Sequence, residues 1–292
     1  MLNKSILLRL HRWISLLFAL PLAIVIVTGL LLSLQPILQS ANIRPGSLSL
    51  ERVEMLMDQI DPKGAARSIR IDTFKNTIVI GDAELDLTNG LARDDKPWLS
   101  EWMSRSRGIH EHLFGDLGWL VIASTIAMMV VTLLGILMGL PRLSHSLSGW
   151  HKATAWFLLP LVVLSPLTGL LMAGGVTFSQ PAQRSPSPGL RDAVRMIADS
   201  YDLSGLEWIR TRGGRMLARV NDGNGQITLH ITREGLKPSP ANWPRTLHEG
   251  TFLGIWGGVM NLVLSLAFVL LLISGVTLWG RRALRVRTRA RG

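Results

Sequence analysis

His11 and His151 stand 140 residues apart, His110 and His248 stand almost as far apart, and each of the four lies at the mouth of an uncharged apolar run. A lone histidine at such a boundary is ordinarily a hydrated interfacial residue. Recurrence in register changes that reading, because unrelated boundary residues have no reason to recur. Two imidazoles at each face suit a b-type haem held inside a helical bundle. Such a haem takes one axial ligand from each side of the porphyrin plane, usually from different helices, with small residues making room for the ring. Gly29, Gly135, Gly169 and Gly275 offer that room, although glycine is equally a residue of tightly packed membrane helices. His112 follows His110 by two positions, ~200° around a helix, and is the weaker substitute ligand. His145, in a central turn, and His230, between Leu229 and Ile231 on the polar side of a strand, are expected to be solvated.

Other chemistries are poorly represented. With no cysteine in the chain, disulfides, thiolate zinc sites, cysteine-ligated iron–sulfur clusters, covalent c-type haem and a cysteine nucleophile are all excluded. His110-Glu111-His112 lacks the spacing that puts two imidazoles of a metalloprotease on one helix face, and neither a P-loop nor a Rossmann glycine pattern is present. No apolar run carries a carboxylate, so the usual relay of an ion-coupled transporter is missing.

The elements that must carry these histidines are four runs free of Asp, Glu, Lys and Arg: Ile14 to Leu34, Leu117 to Leu140, Ala153 to Ala173, and Phe252 to Trp279. Each is long enough to cross a hydrocarbon core of ~30 Å at ~1.5 Å per residue. A composition that is 48% hydrophobic and 17% charged agrees with a membrane protein. The first run exceeds the apolar stretch of a signal peptide and is followed by no A-x-A site, so it reads as a retained anchor. The formal charge of +11 is carried entirely by the short segments: Lys4, Arg9 and Arg12, then Arg142 and Lys152, then Arg281, Arg282, Arg285, Arg287, Arg289 and Arg291. By the positive-inside rule both termini and the central turn are cytoplasmic and the two long segments lie outside. The basic tail reads as a topology signal touching anionic lipid, not as a nucleic-acid site. Trp13, Trp150 and Trp279 fall at inner boundaries; Trp98, Trp102 and Trp243 fall at outer ones.

A period of about 140 residues runs through these features. Leu10-His11-Arg12 matches Trp150-His151-Lys152, Thr28-Gly29-Leu30-Leu31 matches Thr168-Gly169-Leu170-Leu171, and His110-Glu111 with Phe114 matches His248-Glu249 with Phe252. Each half is therefore helix, external module, helix, and the two copies share one orientation. The expected architecture is a membrane α-helical bundle with four transmembrane helices in two tandem repeats, plus two small external α+β modules. Residues 1–142 form the first repeat, with spans at 12–34 and 110–140 and a module at 43–96. Residues 143–292 form the second, with spans at 151–174 and 248–280, a module at 187–238 and a basic tail at 281–292. Helical spacing of Leu50, Val53, Leu56, Met57 and Ile60 precedes alternation around Ile69, Ile71, Ile78, Ile80, Leu85 and Leu87. The second copy has a helix from Leu190 to Asp199 and strands at Leu206 to Arg210, Met216 to Val220 and Ile227 to Thr232, the last two joined at Asn224-Gly225.

With the histidine-led span starts, the distant Thr-Gly-Leu-Leu motifs and the helix-plus-sheet modules assembled, the chain resembles the PepSY-associated transmembrane helix family over nearly its whole length. The motifs are short, and their order and duplication carry the specificity. The resemblance implies PepSY-like periplasmic modules in a bacterial inner-membrane protein of the kind that includes siderophore reductases. It further implies two b-type haems, with His11 and His151 ligating the cytoplasmic-side iron and His110 and His248 the periplasmic-side one. The expected function is transmembrane electron transfer from a cytoplasmic or quinol donor to a ferric siderophore or other ferric chelate docked between the modules. A non-enzymatic scaffold, with modules that bind a peptide or protease, is the alternative. A permease is disfavoured, since neither an intramembrane charge nor a broken helix is evident, although Pro160 and Pro166 are placed to kink the third span.

Overall fold

The computed structural model describes residues 3–92, 98–140, 144–179 and 185–289. Arg142 and Arg291, and the side chains of Arg287 and Arg289, lie outside the described residues. The chain forms two compact units: 1–33 with 103–176 and 260–292, and 34–102 with 177–259. Each unit draws on both halves of the sequence.

The first unit is helical. The span expected as one helix over 12–34 is split into α1 (Lys4–Leu17) and α2 (Ala19–Leu32), parted at Phe18. The third run is split in the same way into α7 (Leu147–Phe157) and α8 (Leu159–Ala173), with a bend of 67° at Leu158. The cause is proline: Pro21 and Pro160 have no N–H to give the carbonyls of Leu17 and Trp156, so the ladder is interrupted just ahead of them. The expectation of unbroken spans is thus corrected, and the bend precedes Pro160 while Pro166 sits inside α8.

The even-numbered spans begin later than their histidines. His110 and His112 close α5 (Trp98–His112); Leu113 and Gly115 then take φ of 55° and 73°, and α6 (Gly118–Leu137) follows. Likewise α10 (Trp243–Glu249) ends at Gly250 with φ 69°, ahead of α11 (Gly254–Arg289). A left-handed residue ends a helix where glycine has no Cβ to clash. Gly250 ends α10 in this way, whereas α5 gives way at Leu113, a left-handed residue that carries a side chain, and the expected helices at 110–140 and 248–280 are each two helices. Three stretches, 19–42, 118–137 and 254–285, are long and apolar enough to cross a membrane, and the bent α7–α8 pair makes a fourth candidate.

Within this unit α6 packs against α1, α2 and α8, and Val162, Leu264 and Phe268 form a small buried cluster with Ile26, Met128 and Leu158 around it. Leu20 and Phe157 are 74% and 86% exposed, as helices apolar on every side require when lipid is the solvent. Buried hydroxyls of Thr28, Ser124, Thr168 and Ser274 donate back to carbonyls one turn earlier in their own helices.

The second unit holds α3 (Leu34–Asn42) and two αβ sets. In the first, α4 (Leu50–Ile60) is capped by Ser49, whose hydroxyl accepts from Arg52 N–H, and precedes β1 (Ser68–Asp72), β2 (Thr77–Ile80) and β3 (Ala83–Asp86). In the second, α9 (Leu190–Ala198) precedes β4 (Leu206–Arg212), β5 (Arg215–Asn221), β6 (Gln226–Thr232) and β7 (Gly235–Pro238). Two separate sheets were expected. Instead β1 pairs antiparallel with β4, Ile69 opposite Ile209, and one seven-stranded sheet runs β3-β2-β1-β4-β5-β6-β7. Joining removes two open strand edges, each a row of unpaired N–H and C=O groups. Val53, Leu56 and Met57 of α4 and Ala193, Val194 and Ile197 of α9 close one face of that sheet. Gly213-Gly214, with φ of 59° and 74°, turns β4 into β5 with the twist a two-residue hairpin needs. The loop at Asn224-Gly225 spans four residues between Asn221 and Gln226 instead of forming such a turn. β7 escapes sequence reading because its Gly-Leu-Lys-Pro lacks β-branched residues.

Two predictions follow from this packing. Ile209 is fully buried at the seam, so Ile209→Ala should destabilise the sheet unit by about 2–4 kcal/mol, seen as earlier onset of proteolysis on heating. Glu207 is the extra residue of a bulge between Leu206 and Trp208. Burial, offset by Arg219 and by a donor from Gln226, pushes its carboxyl up from 4.5 to about 7. The folded chain then holds a proton that the unfolded chain releases, so stability falls as pH rises from 4.5 to about 7. Unfolding compared at about pH 5 and about pH 8 should show that loss in the wild type and a smaller one in Glu207→Gln.

Candidate functional site

His11 on α1 and His151 on α7 are brought together, their ring centroids 6.4 Å apart and their planes 83° to one another. Neither ring is loosely held. His11 Nδ1 lies 3.0 Å from the Val131 carbonyl oxygen of α6, and since a carbonyl only accepts, Nδ1 carries the proton. His151 Nδ1 lies 2.8 Å from Ser274 Oγ of α11. That hydroxyl gives its own hydrogen to Leu270 O at 2.6 Å and lies 3.2 Å from Leu271 O, so it accepts from the imidazole. Both rings are thereby set with the lone pair on Nε2, the arrangement a metal-ligating histidine takes when its other nitrogen is held by a carbonyl or hydroxyl.

His110, in the last turn of α5, is seated in the same way: its Nδ1 is 3.0 Å from the Val25 carbonyl oxygen and 3.2 Å from Thr28 Oγ1 of α2. His112 is different, with a side chain 67% exposed and 3.8 Å from Glu111. His248 lies half-buried in the last turn of α10, in the sheet unit. His145 is exposed, as expected. His230 is not: it is 5% exposed, because the chain at Ser185 and Pro186 covers that end of β6, and burial together with Arg215 and Lys237 lowers its pKa.

The accepting carbonyls share a feature that sequence reasoning missed. Val25 and Val131 each lie four residues before a glycine, Gly29 and Gly135. A helix carbonyl already accepts from the N–H four residues on, and the side chain at that position flanks its second lone pair. Glycine uncovers it. A Cβ on Gly29 would stand 3.1 Å from His110 Cε1, and one on Gly275 would stand 3.7 Å from His151 Cε1. At Gly135 a Cβ would meet nothing within 4 Å, so there only the register is shared. At Thr28-Gly29 and Ser274-Gly275 the hydroxyl beside the glycine is itself a partner of an imidazole, His110 and His151 respectively.

The pair fits a metal that brings most of its own ligands. With Nδ1 of each ring engaged, the Nε2 atoms of His11 and His151 are those that would ligate it. Among the described residues no group of three or more His, Asp or Glu gathers to hold a bare ion. Two neutral imidazoles without further donors suit haem iron, whose macrocycle fills the remaining positions.

Comparison with known families agrees with the helical pattern: a family model described as PepSY-associated TM region matches residues 8–282. No individual curated protein matches the chain.

The hydrogen bonds predict a tautomer. In histidine-labelled, cofactor-free protein, ¹⁵N spectra should show His11 and His151 protonated at Nδ1 and bare at Nε2. Ser274→Ala should perturb the His151 signals and leave those of His11 in place. Protonation at Nε2 in the wild type would contradict the geometry.

Proposed function

The chain belongs to the PepSY-associated TM region family, and from that membership we propose a bacterial inner-membrane b-type dihaem protein that reduces a periplasmic ferric chelate with electrons drawn from the cytoplasmic side or from quinol. The chain is read as a tandem duplication, 1–142 and 143–292. Helix breaks at Phe18 and Leu158, 140 residues apart, support that reading. Both termini are assigned to the cytoplasm and the sheet unit to the periplasm. The charge distribution supports this, and so does the exposure of Trp13, Trp150, Trp98, Trp102 and Trp243.

His11 and His151 would hold the inner haem, and His110 and His248 the outer one. His112 is set aside because it is exposed and is not seated on a helix carbonyl. The observation that carries the reading is the His11–His151 pair, both rings held at Nδ1 with Nε2 left as donor. When bound, haem b supplies a one-electron couple whose potential depends on ligand hydrogen bonding and burial. The protein's own part is structural. Val131, Ser274 and Val25 orient the imidazoles and raise their basicity, while the apolar helices around them keep water away. One electron converts the chelate's Fe(III) to Fe(II), which hard oxygen ligands hold less tightly, and the iron is then labile.

A dithionite-reduced minus oxidised spectrum of detergent-purified protein should show six-coordinate b-type bands at about two haems per chain. His11→Ala and His151→Ala should each remove about one of the two, and His145→Ala should remove none. Haem-free protein from haem-replete cells would sink the proposal and favour the peptide-binding scaffold.

A further inference from the structure

The sheet has one face covered by α4 and α9 and another whose character is quite different. Along β1, β4 and β5 the residues alternating with buried Ile69, Ile209 and Ala218 are Arg70, Trp208, Arg210 and Arg219, with Arg212 at the end of β4. Register sets Arg70 beside Trp208 and Trp208 beside Arg219. The Arg210 guanidinium lies 4.2 Å from the Trp208 ring centroid and that of Arg219 lies 5.2 Å from it. A cation over a ring is held by charge, so its N–H donors stay available for oxygen acceptors.

None of Arg70, Arg210, Arg212 and Arg219 is in a salt bridge among the described residues. The nearby carboxylates have other partners as well, although Glu207 also faces Arg219. Asp72 is 3.5 Å from Lys75, Glu249 is 3.5 Å from Arg245 of α10, and Glu207 takes a donor from Gln226. Partial burial and then Arg212, Arg219 and Arg245 lower the pKa of Arg210, as expected where like charges gather.

We propose that this face of the sheet is the docking site of an anionic, oxygen-ligated ferric chelate, gripped by Arg70, Arg210, Arg212 and Arg219 around Trp208. The inference rests on the reductase reading and adds the substrate's charge class and its place. From β1 to β5 is two strand spacings, about 10 Å, the width of one small chelate and not of an extended membrane surface. Guanidinium forks match paired carboxylate, catecholate or hydroxamate oxygens. Arg70 comes from the first αβ set and the other three from the second, so only the joined sheet assembles the cluster.

The test measures binding, not reduction, and uses redox-inert gallium(III) in place of iron. The full chain in detergent, its haem content measured on the same sample, is titrated calorimetrically with the trianionic gallium complex of a hexadentate tris-catecholate. A neutral gallium tris-hydroxamate complex is titrated for comparison. The anionic complex should bind, should weaken with added salt, and should bind about ten- to a hundredfold more weakly to the Arg210→Gln/Arg219→Gln double variant. The charge-matched Lys63→Gln/Arg67→Gln variant should bind like wild type. Equal binding of the two complexes, unchanged binding by the Arg210/Arg219 variant, or binding of anionic vesicles or an acidic peptide in place of the chelate would overturn the proposal. Chelate binding by haem-free protein would keep the docking site and remove the reductase; haem-loaded protein that binds no chelate would do the reverse.

Discussion

An imidazole N–H carried among apolar helices must find an acceptor, because a buried donor left unpaired costs several kcal/mol where no water can reach it. This constraint organises the membrane unit. The only abundant acceptors there are helix carbonyls, and these already serve their own helices. Val25 and Val131 serve twice, a Cβ at Gly29 would crowd the ring that Val25 receives, and Thr28 and Ser274 give His110 and His151 a hydroxyl partner. The helix breaks serve the same end. By parting α7 from α8 with a bend of 67°, Pro160 frees the segment carrying His151 from the direction of the span behind it.

The sheet unit answers a different problem. Each αβ set alone has a single short helix over three or four strands, too little to bury a core of its own. Pairing β1 with β4 lets α4 and α9 cover one continuous sheet, and twenty buried apolar residues merge into one cluster. The ion pairs Arg195–Glu54 and Arg191–Asp58, both at 2.6 Å, bridge the two helices at the rim. Such surface pairs are worth ~1 kcal/mol or less, so the seam is held by burial, with the charges setting register.

How far this was legible in the sequence depends on the range of the physics involved. Helix α9 and strands β1 to β6 were readable within a residue or two, since alternation and 3.6-residue spacing are local. The four histidines stood out by recurrence, and His11 with His151 do meet. What a one-dimensional pattern could not show was pairing between distant edges, so one sheet was read as two modules. Nor could it show cover from elsewhere in the chain, so His230 was read as solvated when the segment at Ser185 and Pro186 buries it. The divided spans were recoverable in principle from Pro21, Pro160, Gly115 and Gly250. An uncharged run satisfies the length rule for a span, however, whether or not its hydrogen-bond ladder is continuous.

The broken third span reopens the comparison with a permease, since transporters use interrupted helices to line a polar path. The test is where the polar atoms go. A path for ions or hydrophilic solutes needs groups with hydrogen-bonding capacity left over. Among the described residues, the buried side-chain atoms without a partner are Thr77 Oγ1 and Arg215 Nε, both in the sheet unit. In the membrane unit Thr28, Ser124, Thr168 and Ser274 spend their hydrogens on their own helices. The Val25 and Val131 carbonyls are taken by imidazoles. The interruption at Leu158 thus parts the segment that carries His151 from the span behind it.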